Sequence, residues 1–98
     1  MKTTQRVENM TSSNGNKVAN QFIISTYNED GDLISQTFQS YDSTIATRIG
    51  YAGQVTLDKY YWDYSTTTGK YRNTFLGEDK KTTEKKIKSG EYKLESLN

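Results

Sequence analysis

From Val18 to Tyr27 apolar and polar positions alternate, with Phe22 and Ile24 on one face of an extended chain and Ile23 and Tyr27 on the other. Asn28-Glu29-Asp30-Gly31-Asp32 then supplies an Asp-Gly turn, and the extended pattern resumes from Leu33 to Tyr41, where Ile34 and Phe38 share a face. Two such runs around Asp-Gly predict a β-hairpin. Its polar positions are mainly Ser, Thr and Gln, which suits an antiparallel sheet with one face in water. Thr44 to Ile49, with Ile45 and Ile49 on one face, and Gln54 to Asp58 predict a second hairpin across Gly50-Tyr51-Ala52-Gly53. A helical turn at Ser43 to Ala46, capped by Asp42 or Ser43, is the competing reading there.

Beyond Leu57 the period changes. Tyr64, Thr68, Tyr71 and Phe75 follow one another at i, i+4, i+7 and i+11, the stripe of a helix. Ser65 suits its N-cap and Gly77 its C-terminal end, so the pattern predicts a helix over 66–76. Gly69 and the β-branched run Thr66-Thr67-Thr68 weaken its intrinsic propensity, leaving packing to hold it. A second short helix is expected over 81–89, closed by Gly90 and resting on Ile87, and Tyr92 to Leu94 suggests a last strand. Residues 1–17 are polar apart from Val7 and Met10 and read as a flexible N-terminal arm. The sum is one α+β domain over 18–98: a small antiparallel sheet of four or five strands with one or two short helices near the C-terminus.

Composition narrows the chemistry. Fourteen Val, Ile and Leu residues in 98 can furnish only a modest core, so aromatics must help to fill it. Six of the twelve aromatics, with the single Trp, lie in residues 60–76. There is no Cys and no His, which removes thiol nucleophiles, disulfides, the usual general base and the commonest zinc ligands. A net charge of +1 argues for neither an acidic nucleic-acid mimic nor a basic coat protein. Lys80, Lys81, Lys85, Lys86 and Lys88 face Glu84 alone within residues 80–88, a local cationic excess. No apolar run approaches a membrane span and Met1 to Arg6 opens no signal peptide, so the expected setting is cytoplasmic, with no membrane partner.

The segments Phe38-Gln39-Ser40-Tyr41, Val55-Thr56-Leu57-Asp58 and Trp62-Asp63-Tyr64-Ser65-x-Thr67-Thr68-x-Lys70-Tyr71-x-x-x-Phe75-Leu76 resemble a family of small uncharacterised bacteriophage and mobile-element proteins. The resemblance spans about residues 36–77. It implies a phage-type origin, and with that the bacterial host cytoplasm as the setting, and brings no activity, cofactor or catalytic residue with it.

Asp42-Ser43 and Asp63-Tyr64-Ser65 place carboxylates beside hydroxyls, but a serine nucleophile needs an adjacent base, and Asp or Ser before a helix is ordinarily a cap. Residues 28–32 resemble part of a calcium loop without its remaining ligands. The expectation is therefore a non-enzymatic binding protein with no cofactor and no metal site. Trp62, Tyr64, Tyr71 and Phe75 are assigned to the core. Tyr60, Tyr61, Lys70, Arg72, Lys80, Lys81, Lys85 and Lys88 remain as candidate binding residues. Tyrosine with arginine is hot-spot chemistry for a host or phage protein partner. The alternative is single-stranded nucleic acid, stacked on Tyr and tracked by Lys and Arg. An open sheet edge leaves a homodimer available.

Overall fold

The computed structural model describes residues 2–98. Six strands form one sheet in chain order: β1 (Thr4–Thr11), β2 (Lys17–Tyr27), β3 (Leu33–Ser40), β4 (Ser43–Ile49), β5 (Val55–Asp58) and β6 (Lys93–Glu95). Between β5 and β6 lie α1 (Thr66–Leu76) and α2 (Lys80–Ser89). The α+β class holds, and both hairpins form as the alternation predicts. The first turn is an Asx turn: the Asn28 side-chain oxygen accepts from Asp30 N at 3.0 Å and Asp32 N at 2.9 Å. The competing helical turn at Ser43 to Ala46 does not form; Ser43 opens β4, as the second hairpin requires.

Two elements differ from expectation. Residues 4–11 are not an arm but a strand, paired with β2 from Thr4↔Tyr27 to Thr11↔Lys17, with Met10 in the core. Nothing in that stretch alternates clearly, because only one of its side chains is buried and the ladder is held by backbone hydrogen bonds. The last strand, β6, runs parallel to β5, since the two helices between them carry the chain back to the starting end.

The register explains which hydrophobic positions are buried. Ile23, Phe38, Ala46 and Leu57 stand in one row on the face that the helices cover. Phe38, at 0% exposure, stacks on Phe75 of α1 with ring centroids 6.0 Å apart. Val7, Ile24, Thr37, Thr47 and Thr56 form the corresponding row on the open face. Ile45 and Ile49 part company: the shift between Phe38 and Gln39 turns Ile45 inward, while Ile49 stays exposed opposite Ser35.

Polar contacts seat the helices. Ser65 caps α1, accepting from Thr68 N at 3.1 Å, and the buried Thr68 hydroxyl lies 2.9 Å from that of Ser40 at the end of β3. Arg48 of β4 donates to Phe75 O at 3.0 Å and Gln36 Oε1 at 2.8 Å, with its guanidinium 4.4 Å from the Phe75 ring centroid. Asp79 caps α2, and Glu78 joins it to the C-terminal segment by accepting from Tyr92 Oη, Lys86 Nζ and Thr83 Oγ1. Gly77 and Gly90 take the left-handed conformation that ends each helix.

Candidate functional site

The aromatic run from residue 60 falls into two parts with different fates. Residues 59–64 form a turn rather than an extended segment, so Tyr60 and Tyr61 do not alternate between faces. Both are exposed, Tyr60 at 69%. The turn is set by Asp58, fully buried at the end of β5, whose Oδ2 accepts from Tyr60 N at 3.0 Å and Tyr61 N at 2.8 Å. Its Oδ1 accepts from Leu97 N at 2.7 Å, which ties the C-terminal segment to the same point. Burial alone would raise the Asp58 carboxyl. The hydrogen bonds from Leu97, Asn98, Tyr61 and Tyr60 outweigh it and hold the group below the usual carboxylate range.

Tyr64, expected in the core, is 44% exposed. The helix begins at Thr66 behind the Ser65 cap, so Tyr64 lies outside the helical register and never joins the stripe of Thr68, Tyr71 and Phe75. Its ring meets that of Tyr61 edge-on at 5.5 Å. Trp62 is half-buried against the core and covered by the Arg72 guanidinium at 5.2 Å.

Arg72 is the largest correction. Expected at the surface, it is 1% exposed. Its Nη1 donates to Trp62 O at 2.8 Å and Asp63 Oδ1 at 3.0 Å, and its Nη2 to Asn73 Oδ1 at 2.9 Å. Thr68, Arg72 and Phe75 are spaced i, i+4, i+7, so residue 72 belongs to the buried stripe by geometry, and its charge is accommodated by turning the Asp63 loop over it. That spacing was the available signal for a buried arginine, obscured by its charge.

Asp63 is shared. Its Oδ2 pairs with Lys80 Nζ at 2.6 Å, closing a chain from α1 through the loop to α2. Burial pushes the Asp63 carboxyl up, but the hydrogen bonds from Lys80 and Arg72 bring it below its ordinary value, and the same bond raises Lys80. Lys80 is thus a partly neutralised cation. Lys86 is likewise engaged with Glu78, at 2.8 Å, which leaves Lys81, Lys85 and Lys88 at i, i+4 and i+7 on the exposed side of α2. Lys70 is exposed on α1 with its ammonium 5.5 Å from the Tyr71 ring centroid.

What the fold brings together is an open groove of about 800 Å³ lined by Asp63, Tyr64, Ser65, Lys70, Asn73 and Lys80, with Arg72 in its floor. Tyr61 extends its aromatic wall through Tyr64. Of the expected binding residues, Lys70, Arg72 and Lys80 line the groove, while Lys81, Lys85 and Lys88 do not. Tyr64, assigned to the core by its spacing, is the site residue that sequence reasoning missed. Among the described residues no helix is long and apolar enough to cross a membrane.

The carboxylates around the site carry a pH dependence. Asp58, Asp63 and Glu78 are all held below their unfolded values; for Glu78, burial raises the carboxyl and hydrogen bonds from Lys86, Thr83 and Tyr92 lower it further. Stability from these groups is fully present above the unfolded carboxylate range, about pH 4, and is lost as pH falls through the lower folded values. Thermal melts are expected to give a flat Tm from pH 7 to about 5 and a steep fall below about 4. An Asp58→Asn variant, already lacking one of these charges, should show a lower Tm at pH 7 and a shallower fall.

A model of a family of unknown function (DUF8033) matches residues 5–91, nearly the whole chain. No curated protein and no solved structure matches.

Proposed function

The chain belongs to the DUF8033 family of unknown function, and we propose that it is a small non-enzymatic binding protein of phage or mobile-element type that engages a host or phage protein in the bacterial cytoplasm through the tyrosine loop at residues 60–64 and the adjoining groove. The observation that carries this reading is the exposure of Tyr60, Tyr61 and Tyr64 on a loop whose backbone is fixed from both sides, by Asp58 and by Arg72. Exposed aromatics normally cost ordering entropy when they bind, and a loop already held by buried hydrogen bonds has less left to lose. Three exposed tyrosines clustered beside a polar groove match the aromatic enrichment of protein-binding hot spots.

Charge weighs against nucleic acid as the first reading. Arg72 is buried in an ion pair, and Lys80 and Lys86 are neutralised by Asp63 and Glu78, so the cations that would track a phosphate backbone are fewer than the sequence offers. Affinity capture from host lysate with the wild-type chain and with a Tyr60→Ala/Tyr61→Ala/Tyr64→Ala variant tests the proposal. A partner retained by the former and lost at least tenfold by the latter, with unchanged far-UV circular dichroism, supports it. A partner held equally by both, or tight binding to single-stranded oligonucleotide that weakens steeply with salt, overturns it.

A further inference from the structure

Strand β1 is one edge of the sheet, eight residues long and exposed at every position except Met10. The opposite edge, β6, has three residues. A long exposed edge leaves a row of backbone N–H and C=O groups without strand partners, and soluble proteins usually blunt it with lysine, proline or a helix laid across it. β1 reads Thr-Gln-Arg-Val-Glu-Asn-Met-Thr and has neither lysine nor proline, while α1 packs over β3 and β4 in the middle of the sheet. Its only charges are Arg6 and Glu8, on the same face, both well exposed and only 3.9 Å apart within the strand.

We propose that β1 is a self-association edge, where a second copy of this chain adds antiparallel about a two-fold axis through Val7. The charge pattern selects both partner and register. Pairing centred on Val7 sets Arg6 of each copy opposite Glu8 of the other, and Gln5 opposite Asn9, amide to amide. Centring on residue 6 or 8 sets like charges opposite each other, centring on residue 9 leaves both charges without a charged partner, centring on residue 5 leaves Arg6 opposite Thr4 and offers Glu8 only Lys2, which precedes the strand, and parallel pairing stacks Arg6 on Arg6. Opposite charges directly across a ladder stabilise and like charges destabilise. Val7, 61% exposed on the open face, meets its own copy on the axis. The contact is isologous and closes as a dimer, joining two six-stranded sheets into one of twelve. One strand against one strand is a small interface, so association is expected at the weak end, at roughly tens of micromolar protein.

Sedimentation velocity on the full chain, from ~10 to ~500 µM, is the test. Wild type should shift from monomer to dimer across that range. Arg6→Glu alone and Glu8→Arg alone should each weaken association by about tenfold or more, because each replaces two attractive pairs with two repulsive ones. The double exchange, Arg6→Glu with Glu8→Arg, restores complementarity across the two-fold and should return association to within about threefold of wild type. A monomer at every concentration, a dimer indifferent to the single reversals, or a double exchange that does not recover would each overturn the proposal. Because the chain has no cysteine, a second readout is clean: Val7→Cys should cross-link under oxidation. Gln5→Cys should not, since in this register the two copies of residue 5 stand four residues, ~13 Å, apart. Equal cross-linking by both would sink the register.

Discussion

Replacing Arg72 with alanine is expected to lower the unfolding free energy by about 3 kcal/mol, the lower end of the cost of breaking a buried ion pair, because Asp63 is partly exposed and keeps Lys80. For a domain of this size that corresponds to a fall in Tm of roughly 12–24 °C, read by circular dichroism. The loss has three sources. The carbonyl of Trp62 and the side-chain oxygens of Asp63 and Asn73 each lose a donor, the Trp62 ring loses the guanidinium that covers it, and a fully buried volume is left empty. Arg72→Lys should recover less than half of this, since one ammonium cannot reach all three oxygens in the planar geometry of a guanidinium. Lys70→Ala, two positions away on the exposed side of the same helix, should change stability by no more than about 0.5 kcal/mol. If Arg72→Ala melts within a few degrees of wild type, the loop is not held by this residue. The proposed pre-organisation of Tyr60, Tyr61 and Tyr64 then fails with it.

Phe38→Ala should be more damaging still, at about 3–5 kcal/mol, the range for deleting a fully buried phenylalanine ring. Phe38 lies between Ile23 and Ala46 in the cross-strand row and carries the stacking contact to Phe75, so its loss opens the interface between sheet and helix at its centre. A domain of about 100 residues has roughly 5–15 kcal/mol of stability in all, and urea unfolding should show a midpoint reduced by a third or more. Phe22→Ala removes the same side chain from the other face of the sheet, where it is only partly buried opposite Asn9 and Gln39, and should cost about 1 kcal/mol. Equal losses from the two substitutions would show that the assigned sheet face is wrong.

The pair Phe22 and Phe38 shows how far the sequence reaches. Alternation establishes that both sit in strands, and the Asp-Gly turn joins those strands into a hairpin. It leaves unresolved which of the two faces receives the helices, because Ile23 and Phe22 are equally apolar. Only the register of β3 on β4, with α1 laid over Phe38, decides it. The irregularity beside Phe38 likewise separates Ile45 from Ile49, which any strict period of two would keep together.

The same division runs through the candidate site. Ser65 and Gly77 were legible as the ends of α1, since capping is a local matter of side-chain oxygen and positive φ. Tyr64 lies one residue before that cap, where helical spacing no longer applies, so the stripe that places it in the core ends short of it. For Arg72 the two local signals disagree, its charge pointing to the surface and its spacing to the buried stripe. In the fold, the spacing prevails and the charge is met by Asp63, nine residues earlier, brought over it by the turn that Asp58 fixes. By itself the sequence determined the α+β class, two hairpins, two helices and a chain without cysteine or histidine, because each follows from periodicity, turn chemistry or composition. The tertiary structure decided the edge strand β1, the parallel return of β6 and the Asp63 counter-charge laid over the buried Arg72. Each of these depends on backbone pairing or ion pairing between separate segments of the chain, which no single periodic pattern records.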